Sequence, residues 1–159
     1  FFKYESITIQ APRELQCRVL KPGKTEGPLW GGNMCLLANR FGTADQLSTN
    51  GTILFIEDID EYLYAFERMI VHMKEAGMFQ NITGLIIGEL VDMKDQDIPF
   101  GKTTDEIVLD VCGDLDIPII SNFPCGHGMY HATMPISIPV RLDSDSQSPT
   151  LTILESPVK

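Results

Sequence analysis

The chain has 159 residues, enough for one domain with a core of its own. Hydrophobic residues make up 43% of it and the mean hydropathy is close to zero, the profile of an ordinary globular protein. Twelve basic residues against 22 acidic ones give a formal charge of −10, which a nucleic-acid backbone and an anionic membrane would both repel, so neither is expected as a partner.

Tyr4–Gln10 alternates apolar and polar residues and predicts a strand broken by Ala11 and Pro12. Leu15–Leu20 predicts a second extended segment, ending at Lys21, Pro22 and Gly23. Residues 22–33 are rich in glycine and proline and read as a loop, closing on Trp30, Gly31, Gly32 and Asn33. A short helix from Met34 to about Arg40 follows, with Asn33 placed to cap it. Thr52–Ile56 is a continuous apolar, β-branched run and predicts a buried strand. Asp58 and Glu61 have capping-box spacing for the next helix. That helix carries Leu63, Phe66, Ile70 and Met73 on one face and ends at Gly77. Gly84–Gly88 predicts a second buried strand. Thr103 and Glu106 form another capping box, for a helix reaching about Cys112. Ile117–Ile120 predicts a short third strand. The tail from Ile136 to Leu154 reads as two strands around a turn over Asp143–Pro149. Alternating strands and helices flanked by strands at both ends predict a three-layer α/β domain with a mixed sheet, occupying residues 1–159 as a single unit.

The acidic surface suits solubility, or a cationic or zwitterionic small substrate. No apolar stretch approaches the roughly 20 residues of a membrane span, and no secretory leader is visible. Cys17, Cys35, Cys112 and Cys125 read as reduced thiols, which predicts a cytoplasmic setting.

Two residues stand out chemically. Glu57 ends an apolar strand, and ligand sites of open α/β sheets lie beyond strand C-termini. His127 lies between Gly126 and Gly128, in a turn that lets an imidazole approach another surface closely. A fixed carboxylate and a loop histidine are two-thirds of a hydrolytic triad. The alternative for Glu57 is a helix-dipole role with Asp58, Asp60 and Glu61; for His127 it is a solvated turn residue. Cys125, His127 and His131 are a rival metal set, although their spacing matches no common zinc pattern. Cys35 or Cys125 acting on His127 is a rival nucleophile. Trp30 and Asn33, with Gly126, are candidate substrate-binding residues, with a purely architectural role for the glycine-rich segment as the other reading. No Gly-x-Ser-x-Gly elbow occurs.

Taken in order, Gly31-Gly32-Asn33, the segment Gly51–Tyr64 with Ile56-Glu57-Asp58, Arg68-Met69, Ala76-Gly77, Gly84–Gly88, Ile117-Pro118 and Pro124-x-Gly126-His127-Gly128 resemble the C-terminal domain of the LD-carboxypeptidases. This serine peptidase family includes the microcin C immunity proteins, and the resemblance runs over roughly residues 18–155. It implies a swivelling β/β/α-type domain and a Ser-Glu-His triad split between two domains, with Glu57 and His127 as its catalytic residues here. The serine and oxyanion hole would lie in an N-terminal domain that these 159 residues lack, so the chain alone is expected to be inactive. The implied substrate is a muropeptide or small peptide, typically the peptidoglycan stem tetrapeptide that loses its terminal D-alanine during murein recycling in the bacterial cytoplasm. A homodimer is implied, with no cofactor and no metal. A microcin-type immunity peptidase and a non-catalytic peptide-binding or dimerisation domain are the alternatives.

Overall fold

The computed structural model describes residues 6–146 and 148–157. Tyr4 and Glu5 of the first expected strand, and Gln147 of the last expected turn, lie outside the described residues. The elements run β1 (Ile7–Gln10), a 3-10 turn (Arg13–Leu15), β2 (Arg18–Lys21), β3 (Lys24–Asn33), α1 (Met34–Ala38), β4 (Ile53–Ile59), α2 (Leu63–Glu75), β5 (Gly84–Val91), α3 (Thr104–Cys112), β6 (Ile119–Gly126), β7 (Pro139–Asp143) and β8 (Thr150–Ile153). The strands are ordered β1-β8-β7-β3-β4-β5-β6-β2. Strands β3 to β6 run parallel to one another, while β1, β8, β7 and β2 join by antiparallel pairing.

The apolar run of β4 is continuous because both of its faces are covered. Leu54 and Ile56, with Leu85 and Ile87 of β5, pack against Phe66, Ile70 and Met73 of α2 and Ile107, Val108 and Val111 of α3. Ile53 and Phe55, with Ile86, Ile120 and Phe123, pack against Leu29 and against Val140, Leu142, Leu151 and Ile153 of the antiparallel strands. Two cores thus separate three layers: helices, parallel strands, antiparallel strands. This is the expected mixed-sheet β/β/α arrangement. Burying each large side chain such as Phe66 or Ile70 stabilises the fold by about 1.5–3 kcal/mol.

Residues 24–33 form a strand, not the loop expected from their glycines and prolines. Lys24–Pro28 pairs antiparallel with β7, and Leu29–Asn33 pairs parallel with β4. Pro28, which has no N–H to give a ladder, sits where one partner is exchanged for the other. Gly31 is there because the chains nearly touch: a Cβ on it would lie 1.8 Å from the Phe55 carbonyl oxygen.

The helix α2 also starts differently. Its N-cap is Tyr62, without a side-chain cap bond, so Asp58 and Glu61 make no capping box. The reason is that β4 continues to Ile59, and Asp60 turns the chain with φ of 64°. The Thr103–Glu106 capping box of α3 forms as expected. The third expected strand is longer than its apolar core suggests and runs through Cys125 to Gly126. Among the described residues no helix is long and apolar enough to cross a membrane.

Candidate active site

Glu57 occupies β4 opposite Asn33 of β3, beyond the stretch where every position is apolar. His127 follows the last residue of β6. Between them lies β5, paired with both strands. Ordinary parallel pairing would keep the ends of β4 and β6 a strand apart. Two irregularities alter this: β6 advances from Ile120 to Phe123 while β5 moves from Ile86 to Gly88, and from Phe123 to Gly126 while β5 moves one residue. Asn122, in the first of them, has φ of 56°. The surplus length lets the end of β6 fold toward β4.

Glycines keep that path open. A Cβ on Gly88 would lie 2.4 Å from the Cys125 oxygen and 3.0 Å from Glu57 Cβ. A Cβ on Gly126, whose φ is 119°, would lie 2.9 Å from Glu57 Oε2. With those spaces empty, His127 Nδ1 comes within 2.8 Å of Glu57 Oε2. A carboxylate only accepts, so Nδ1–H is the donor, and in the neutral imidazole this leaves the lone pair on Nε2. The Glu57 side chain is 8% exposed and that of His127 50% exposed. A buried, fixed acid therefore orients an imidazole that reaches solvent.

Asp58, the next residue, has another task. Its carboxylate accepts from Asn33 Nδ2 at 3.0 Å, from the Cys35 backbone N–H at 3.1 Å and from the Ile59 N–H at 2.9 Å. Asn33 in turn accepts from the Leu36 N–H and caps α1. The expected cap is present, and the amide of Asn33 is engaged in architecture beside Glu57. Trp30 pairs with Leu54, three residues before Glu57, whereas Asn33 pairs with Glu57 itself. His127 and Gly126 touch Glu57 and Asn33 pairs with it, while Trp30 lies three register positions away on β3.

The cysteines are not activated. Burial pushes the Cys125 thiol up to about 12, and the Glu57 and Glu89 carboxylates push the same way. Burial, then Asp58 and Glu61, raise the Cys35 thiol, which lines a groove between α1 and α2 with Arg68 and His72. Cys125 packs into the core between the two β layers while His131 is exposed, and among the described residues no three His, Cys, Asp or Glu side chains are grouped to hold a metal ion. Ser121 is buried in β6, and its hydroxyl has no hydrogen-bond partner.

The site also contains Glu89, which the sequence reading passed over. It is buried at the end of β5, opposite Gly126. The signal that marks Glu57, an acid directly after a buried apolar strand, marks Glu89 equally.

Comparison with known proteins identifies the family and the fold. A family model described as the LD-carboxypeptidase C-terminal domain matches residues 26–142. A Bacillus subtilis protein named "Probable murein peptide carboxypeptidase" is 32% identical over 117 residues, 74% of this chain and 37% of the relative. The microcin C7 self-immunity protein MccF of Escherichia coli is 28% identical over 150 residues, 91% of this chain and 42% of the relative. The crystal structure of a muramoyltetrapeptide carboxypeptidase from Oxalobacter formigenes superposes with a TM-score of 0.83 at 28% identity, covering 96% of this chain and 51% of that one. The chain spans about two fifths of the length of the curated relatives it matches.

Proposed function

Because the chain belongs to the LD-carboxypeptidase family, whose C-terminal domain it matches, we propose that it supplies the proton-handling half of a serine carboxypeptidase acting on murein stem peptides. The observation that carries this reading is the 2.8 Å hydrogen bond between buried Glu57 and half-exposed His127. In the proposed reaction a serine hydroxyl, contributed by residues outside these 159, meets Nε2 of His127. The imidazole takes the hydroxyl proton as the oxygen attacks the peptide carbonyl, then returns a proton to the departing D-alanine amine. Water repeats the sequence to release the acyl group. Glu57 holds the Nδ1–H tautomer throughout and stabilises the imidazolium that forms.

The substrate is a stem tetrapeptide whose terminal D-alanine leaves across an L,D bond. The names of the Bacillus and Oxalobacter proteins support that choice. Recycling of wall fragments in the cytoplasm, as a homodimer, is the accompanying proposal. The match to MccF over 150 residues favours a second reading, a peptidase of the self-immunity type.

The test uses a full-length protein containing this chain and measures D-alanine release. Glu57→Ala and His127→Ala should each lower kcat by about a thousandfold or more. Turnover at the unmodified rate in both variants would overturn the assignment. The 159-residue chain by itself should release no D-alanine. Protection of cells against microcin C7 without tetrapeptide cleavage would select the second reading.

A further inference from the structure

The groove between α1 and α2 encloses about 320 Å³, the lower end of the range for small-molecule sites. Neither Glu57 nor His127 lines it. Glu61, just before the N-cap of α2, and Arg68 and His72 within that helix recur at helical spacing along one wall. Arg68 is unusual in so acidic a chain. With 22 acidic residues against 12 basic ones, a cation finds a partner easily. Among the described residues every lysine and arginine except Arg13 and Arg68 gives its side chain to an acid or a backbone carbonyl. Arg68 instead lies over the Tyr64 ring, 5.8 Å from its centroid, and His72 stacks on Phe41 with the ring centroids 5.0 Å apart. A ring orients such a group and leaves its N–H donors free. Glu61 shares the groove with Arg68, yet among the described residues the two form no ion pair and the Glu61 carboxylate has no hydrogen-bond partner.

Opposite charges held apart in one small groove suit a ligand that carries both. A lone anion meets Glu61 and the net charge of −10, and a lone cation meets Arg68. A zwitterion is attracted at both ends and adds no net charge. Its carboxylate matches the guanidinium fork of Arg68, with His72 one turn further along α2 as a second donor. Its ammonium supplies donors to the Glu61 carboxylate. Ala38, Ala65 and Met69 complete the groove with an apolar surface that suits a hydrocarbon side chain. We propose that the groove between α1 and α2 binds a free amino acid with an apolar side chain, its carboxylate on Arg68 and its ammonium on Glu61. Cys35 lines the same groove and is covered when the site is filled.

The experiment follows alkylation of Cys35 by iodoacetamide, read by mass spectrometry, in a full-length protein containing this chain. The probes are leucine, N-acetylleucine, which has no ammonium, and leucinamide, which has no carboxylate. Leucine should slow the labelling of Cys35 and leave that of Cys17, outside the groove, unchanged. Each capped form should need about tenfold more ligand, or above, for the same protection. In R68Q leucine should lose its advantage over leucinamide, and in E61Q its advantage over N-acetylleucine. Both side chains reach solvent, so the two variants should melt with the wild type. No protection by leucine, equal protection by all three probes, or an unchanged order of affinities in either variant would overturn the inference. His127→Ala protein should be protected as the wild type is. Loss of protection there would move leucine to the candidate active site and would also overturn it. D-alanine release plays no part in the readout, so the proposed function stands or falls separately.

Discussion

At the scale of single residues, the site is made by what is missing from glycines as much as by Glu57 and His127. Gly126→Ala would put a methyl 2.9 Å from Glu57 Oε2 and 3.0 Å from the Glu89 backbone carbonyl oxygen, in a backbone conformation that alanine resists. It should cost about 1–3 kcal/mol in urea unfolding and lower kcat in the full-length protein. Unchanged stability and turnover would show that the turn yields more easily than its geometry implies. The thiols make a second expectation. Cys112 and Cys125 are buried with thiols pushed up to about 12, so iodoacetamide at pH 8 should leave both unlabelled in the folded chain while labelling Cys35 slowly. Mass spectrometry that finds Cys125 modified first would contradict this. Glu57 was legible in sequence because it closes an apolar run, and His127 because glycines frame it. Their chemistry pairs them in the sequence as acid and base, but 70 residues separate them, and the register shifts of β6 that bring them together leave no local signal. Glu89 also follows an apolar run, but the contact of its carboxylate with the Gly128 backbone joins segments distant in the chain.

At the scale of elements, local signals succeeded where structure is local. The Thr103–Glu106 box was legible because its bonds close within four residues. The Thr103 backbone N–H, then its hydroxyl, hold the Glu106 carboxyl below its ordinary 4.5. A carboxyl lowered by folding stabilises the fold above its unfolded value, and the gain disappears as pH falls through the folded value. Glu106→Ala should therefore lower the melting temperature most at neutral pH, with the gap to wild type closing on acidification. A gap independent of pH would show that ionisation of Glu106 contributes nothing. Asp58 and Glu61 have the same spacing and form no box, because pairing with β5 extends β4 past the expected helix start. Asp58→Ala leaves the Cys35 N–H and Asn33 amide without their acceptor and should destabilise the chain by about 1–3 kcal/mol in chemical denaturation. A smaller loss would mean that solvent replaces the carboxylate. The strand β3 was illegible for a similar reason: its glycines answer to the Phe55 backbone, which its own sequence does not reveal.

At the scale of the molecule, β1 lies antiparallel to β8, with Ile7 opposite Ile153. The first and last described strands are therefore neighbours at one outer edge of the sheet order. A circular permutant that links these ends and opens between Asp97 and Ile98, both exposed, should retain the native circular dichroism and a cooperative melt. An unfolded permutant would show that the original chain order is needed to assemble the layers. The layer order itself was legible, since the doubly buried run of β4 demands cover on both faces. The link between Glu57 and His127 crosses three adjacent strands, two of them only through the middle one. It is thus a gauge of shear: any slip of the sixth strand past the fourth lengthens that one contact, and the imidazole nitrogen resonances would register the loosening well before the domain melts.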